Sequence, residues 1–174
     1  PILIANKERL EKIASDNGFK LDDLEIIDHR DILHDERRKK YAKILSNKRE
    51  RQGITYLDAF EKMNDRNYFG MMMVETGDAD ALITGVYSHY HDFAKTALDV
   101  VGFRPGYEHF GAMHILQTKK GNLFLADTLI NRWPTTDVLI EIDKKTNDAL
   151  RFFNYVPVSA MLSFSNFGAD KFGG

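Results

Sequence analysis

The residues best equipped for chemistry sit where apolar runs give way to polar loops. Ala126-Asp127-Thr128 lies toward the end of one such run, and Asn131 follows shortly before a helix led by Pro134-Thr135. A carboxylate, a hydroxyl and a carboxamide between a strand and a helix N-terminus can orient a polar ligand, and the helix end offers unpaired N–H groups to an anion. The same residue types also make ordinary turns, so both readings stand. Ser163, Ser165 and Asn166, closing the last strand-like run, could share that rim. His89 and His91 are two apart, which on an extended segment turns both imidazoles to one side. No third ligand has suggestive spacing, so no metal is expected there. The stretch from Arg37 to Arg51 holds eight of the 24 Lys and Arg residues. Most suit a solvated helix face. Lys48, Arg49 and Arg51 fall at its carboxyl end, where cations complement the helix dipole and one of them could bind an anion.

These groups need a frame, and the pattern predicts one. Pro1–Ala5 and Leu24–Ile27 read as strands. Asn6 is suited to cap a helix that turns Leu10 and Ile13 inward and ends at Gly18. A charged helix runs from Asp35 to Gln52, with Tyr41, Ile44 and Leu45 as its apolar stripe, and stops at Gly53. Thr55, followed three residues later by Asp58, resembles a capping box for the next helix. NYFGMMMVE is a further helix, with Gly77 placed for a left-handed cap. Ala81–Gly85 then reads as a short strand buried on both faces. The loop from Val86 to His91 leads into a helix over Asp92–Val101. Phe110–Thr118 and Leu123–Ile130 read as a hairpin turned at KKGN. A long helix covers Thr135–Phe153, with Pro134 at its start, and Pro157–Ser165 closes as a strand. Strands alternating with helices predict an α/β fold: a three-layer, mostly parallel lobe over residues 1–104 and part of a second α/β lobe over residues 105–174. The Pro105-Gly106 pair marks the break.

Composition narrows the classes. The 174 residues are 43% hydrophobic and 29% charged, ordinary for a globular chain, and the net charge of −2 gives no reason to expect nucleic acid or an anionic membrane. Without Cys there is no thiol catalysis, disulfide or cysteine-metal site. No run approaches a membrane span and no signal peptide is visible, so cytoplasmic residence is the expectation. A strand-like run at each terminus suggests a piece of a larger polypeptide. No nucleophile elbow, phosphate-binding loop or dinucleotide glycine pattern occurs. Residue chemistry alone therefore stops at an α/β ligand-binding domain.

Several segments carry a more specific likeness. NYFGMMMVETGDADALITG, KKGNLFLADTLINRWPT and VPVSAMLSFS, with the opening PILI and the QGIT after the basic helix, resemble the phosphate acetyltransferase/butyryltransferase family in order and approximate spacing. The resemblance implies a phosphotransacetylase-like, isocitrate/isopropylmalate dehydrogenase-like architecture, two-lobed and commonly dimeric, with a cleft for CoA thioesters. Within that family, ADT at Ala126–Thr128, HILQTKKGNLF and GVYSHY are most similar to the phosphotransacetylase-like C-terminal domain of multidomain NADP-dependent malic enzymes. This branch implies an assembly and regulatory module that senses acetyl-CoA. Its upstream malic and nucleotide-binding domains use NADP with Mg or Mn. A fragment of a true acyltransferase is the alternative.

The resemblance also implies site residues. The family's Arg near the end of the basic helix falls on Arg49, with Arg51 if the register slips. Its second Arg falls on Lys95, which attracts phosphate without the paired grip of a guanidinium. The family's Ser-Arg pair and following Asp lie downstream of this chain, so no catalytic residue is expected here. The expected effector contacts are Arg49, Lys95, Asp127, Thr128, Asn131, Ser163, Ser165 and Asn166, around a cleft between the lobes.

Overall fold

The computed structural model describes residues 1–31, 35–86 and 89–162. Two compact units divide the chain, Pro1–Gly102 and Phe103–Gly174.

In the first unit, β1 (Ile2–Ile4) and β2 (Glu25–Ile27) pair in parallel, Leu3 opposite Ile26. Parallel neighbours need a crossover, and α1 (Lys7–Asn17) supplies it. Asn6 starts this helix by accepting the Arg9 N–H at 3.0 Å, and Gly18 ends it at φ 70°. The expected inward Ile13 is instead 47% exposed, while Ala14 is buried. Leu10 and Ala14 stand four apart on one face, and Ile13 is rotated about 100° away from Ala14.

Helix α2 (Asp35–Arg49) carries Tyr41, Ala42 and Leu45 into the core and runs into a 3-10 turn, Glu50–Gln52, before Gly53. The capping box at the start of α3 (Tyr56–Lys62) is fully formed. Asp58 N–H donates to Thr55 Oγ1 at 3.2 Å, and Thr55 N–H donates to Asp58 Oδ2 at 3.0 Å. Helix α4 (Arg66–Glu75) is the centre of the unit, since Tyr68 through Met73 are all buried. A helix apolar on every side belongs inside. Gly70 lets its neighbours close in: a Cβ there would stand 2.9 Å from Leu82 Cδ1 and 3.0 Å from Ile4 Cδ1.

Ala81–Gly85 is not the buried central strand that its apolar run suggested. It joins no ladder, and Ile83 is 98% exposed. Only Leu82 packs inward, against Gly70. Apolar composition favours burial but does not provide a hydrogen-bonding neighbour, and Val86 at φ 70° turns the backbone off an extended path. Helix α5 (Tyr90–Val100) begins two residues before the expected Asp92, with His89 as its N-cap.

In the second unit, β3 (Met113–Thr118) and β4 (Gly121–Ala126) form an antiparallel hairpin around Lys119-Lys120. Both strands are shorter at their open ends than Phe110–Thr118 and Leu123–Ile130. The chain at Asp127 has positive φ and cannot continue the ladder. Helix α6 (Thr136–Phe152) follows N-cap Thr135, placing Pro134 just ahead of the cap rather than in the first turn. Residues 157–162 of the expected last strand belong to no sheet, and 163–165 lie outside the described residues. The chain is an α/β protein whose described strands form one parallel and one antiparallel pair. No described helix is long and apolar enough to cross a membrane.

Candidate functional site

Arg49 ends α2 and reaches the carboxyl end of α5. Its Nε donates to the Asp99 carbonyl at 2.6 Å and its Nη2 to the Leu98 carbonyl at 2.5 Å. These are among the last carbonyls of α5, which lack partners within the helix, so the guanidinium caps it and complements its dipole. Gly102 makes room, because a Cβ there would lie 2.8 Å from Nη2. Asp99 is a node: its carboxylate also accepts the Tyr68 hydroxyl at 2.6 Å and lies 3.8 Å from Lys62 Nζ. Burial first, then this carboxylate, pushes the Tyr68 phenol well above its usual range. Lys95 stands exposed on α5 and pairs with no described carboxylate. Arg49 and Lys95 therefore meet the same helix, one as its cap and one from its solvent side. Arg51 is exposed in the 3-10 turn.

The Asp127 loop of the second unit is more tightly built than its composition required. Asp127 holds φ 51°, an uncommon conformation for a residue with a side chain. Its N–H donates to the Ala112 carbonyl at 2.6 Å. Asn131 clamps the loop, donating from its backbone and side chain to Asp127 Oδ2 at 3.1 and 2.9 Å, and from Nδ2 to the Phe110 carbonyl at 2.7 Å. The other Asp127 oxygen, Oδ1, is buried with no hydrogen-bond partner among the described residues. Thr128 Oγ1 lies 2.7 Å from His114 Nδ1 across the hairpin. A hydroxyl on an imidazole is the start of a nucleophile–base pair, in which a third group commonly orients the base. No described side chain bonds the other nitrogen of His114. Ser163, Ser165 and Asn166 lie outside the described residues.

Spacing did not point to a third cluster. Glu141 on α6 accepts the N–H groups of Glu108 and His109 at 3.1 and 3.0 Å, His109 Nδ1 at 2.6 Å and Lys145 Nζ at 2.6 Å. Lys145, then the His109 ring, pull the Glu141 carboxyl down to about 2. Lys145 also donates to the His109 carbonyl and lies 4.9 Å above the Tyr107 ring. The result is a clasp between the loop at residues 107–110 and α6. The only signal of it in the sequence is Glu141 and Lys145 at helical spacing.

The parallel and antiparallel strand pairs and the helices that follow them define an α/β class of protein. Residues 1–172 match the family model described as phosphate acetyl/butaryl transferase, and the chain belongs to that family. It is 35% identical over 175 residues to an NADP-dependent malic enzyme of Salmonella typhimurium, covering 98% of this chain and 23% of that protein. A phosphate acetyltransferase of Thermoanaerobacterium thermosaccharolyticum is 31% identical over 175 residues, covering 97% of this chain and 52% of the relative. Among solved structures, the EutD phosphotransacetylase from Staphylococcus aureus superposes with a TM-score of 0.77 at 26% identity, over 98% of this chain and 51% of its own. The chain thus spans from about a quarter to about half the length of these relatives.

Proposed function

We propose that this chain is the acyl-CoA-sensing and assembly module of an NADP-dependent malic enzyme, and is not itself catalytic. The observation that carries the reading is the 35% identity to a malic enzyme across 98% of the chain. The parent decarboxylates malate oxidatively to pyruvate in the cytoplasm, as a homo-oligomer, with NADP and Mg or Mn held by upstream malic and nucleotide-binding domains. No three His, Asp or Glu side chains gather to hold a metal among the described residues, and no dinucleotide glycine pattern occurs.

The effector in this reading is acetyl-CoA or a close acyl-CoA. In the first unit, Lys95 attracts a phosphate as a compact charge, and Arg49 adds positive field while its Nε and Nη2 hold α5. In the second, the Asp127–Asn131 loop supplies polar contacts, and the same reading assigns Ser163, Ser165 and Asn166 to the effector. A fragment of an acyltransferase working between CoA and phosphate is the second reading. It is favoured by the phosphate acetyltransferase relative and the phosphotransacetylase structure.

Calorimetry of acetyl-CoA against the full-length parent, beside malate-dependent NADP reduction with and without the thioester, tests the first reading. Binding is expected, with altered malate turnover. Lys95→Gln should weaken binding roughly tenfold, the effect of losing one partly exposed cation–phosphate contact. Acetyl phosphate formation from acetyl-CoA and phosphate should stay at background. Turnover by the unmodified chain would establish the second reading instead.

A further inference from the structure

His29 lies just past β2, only 4% exposed, with its ring 5.8 Å from that of Phe69 on α4. Its Nε2 lies 2.9 Å from the carbonyl of Asn64, in the turn between α3 and α4. A carbonyl only accepts, so Nε2 carries the hydrogen and Nδ1 is the bare acceptor of the neutral ring. That Nδ1 is buried and has no partner among the described residues. Asn64 is shared: its carbonyl also takes Arg30 Nε at 3.2 Å, and its side-chain oxygen takes Arg38 Nη1 of α2 at 3.0 Å. One asparagine thus fastens the loop after β2 and the start of α2 to the α3–α4 turn.

The charges facing the ring are mostly of one sign. Arg30 from its own loop and Arg66 from α4 disfavour an imidazolium, whereas Asp28 favours one. Arg38 is already paired with Asp35 at 2.9 Å, so that carboxylate is engaged. A second proton on His29 would place an N–H on Nδ1 with no described acceptor, inside the core and beside two guanidinium groups. Such a donor is costly to keep buried.

We propose that His29 is an acid-triggered release for this clasp: protonation expels the imidazole from the Asn64 turn and frees the loop after β2 from the α3–α4 turn. Burial first of all already holds the imidazole below its ordinary value of 6.5. The folded ring resists the proton and the released ring takes it. Stability from this contact is therefore complete above pH 6.5 and declines as pH falls below that value toward the folded value. The released population should grow by up to about tenfold per pH unit within that window, the slope of one proton.

Ring-proton NMR of the full chain from pH 8 to 4.5, beside thermal unfolding of the parent and His29→Gln, tests the device. Gln keeps an N–H donor for the Asn64 carbonyl and does not titrate. His29 should titrate below 6.5, and the parent should lose melting temperature relative to His29→Gln as pH drops through the window. A His29 midpoint at or above 6.5, or parallel melting profiles, would overturn the proposal. Should His29→Gln not fold, amide exchange at Asn64 and Asp65 in the parent decides, corrected for intrinsic rates. Protection that falls with acid across the window supports release, and protection that holds constant refutes it.

Discussion

Arg49→Ala, made in this chain without any ligand, should destabilise the first unit by about 2–3.5 kcal/mol. The Nε bond to the Asp99 carbonyl is 2.6 Å long and partly buried, so about 1.5–2 kcal/mol attaches to it as a bond from a charged donor. The Nη2 bond to Leu98 is exposed and contributes only about 0.5 kcal/mol. A cation at the end of a helix adds another ~0.3–1 kcal/mol. With a urea slope of about 2 kcal/mol/M, the midpoint should fall by about 1–1.7 M with the slope unchanged. Far-UV circular dichroism of the urea transition measures this, and hydrogen exchange should place the lost protection at Leu98–Gly102. Arg49→Lys should recover about half, because an ammonium cannot span both carbonyls with a planar fork. An Arg49→Ala midpoint within about 0.2 M of the parent would show that the cap carries no weight, leaving Arg49 free for an anion. A large shift means that loss of effector binding in Arg49→Ala cannot by itself identify a ligand contact. Lys95→Gln is the cleaner probe.

Tyr41→Phe keeps the buried ring against Phe69 but deletes the hydroxyl that donates to Asp78 Oδ2 at 2.5 Å. Asp78 keeps water and Lys40 nearby, so the loss should be about 1–2 kcal/mol by chemical unfolding at pH 7. Tyr41 holds the Asp78 carboxyl below its usual 3.8, so that loss should shrink as pH falls below 3.8. In the parent the Tyr41 phenol, raised to about 12 by burial and then by Asp78, should not ionise in a spectrophotometric titration until well above pH 10. Glu141→Gln should lower the melting temperature of the second unit above pH 4.5. Because the native carboxyl sits at about 2, the gap from the parent should close between pH 4.5 and 2, as calorimetric scans at stepped pH would report.

Local signals are legible in the order of residues alone. Asn6 and Thr55 each cap the helix that their position indicated, because a cap depends on a few neighbouring residues. The helix over NYFGMMMVE was equally legible, while the unbroken burial of Tyr68–Met73 emerges only in the structure. Ala81–Gly85 and residues 157–162 were less legible, since an apolar run does not reveal which neighbour, if any, would complete a ladder. The candidate site shows the same division. Asp127 and Asn131 were recognised as a loop, but the shared Oδ2 and the bond to the Phe110 carbonyl depend on residues up to 21 positions apart. Arg49 was marked for its charge. That its charge meets two backbone carbonyls some 50 positions away is a tertiary fact without a local trace.

Four of the six methionines, Met63, Met71, Met72 and Met73, lie in the buried cluster around α4. Thioethers fill uneven space well, yet each is open to oxidation to a polar sulfoxide once it meets peroxide. While the first unit stays folded, its own packing shields those sulfurs. Each visit to the unfolded state exposes all four, and a sulfoxide formed there cannot return to an apolar core at low cost. Under oxidising stress, folding of this unit becomes a ratchet: damage accumulates with time spent unfolded, and only enzymatic reduction of the sulfoxides reopens the way back.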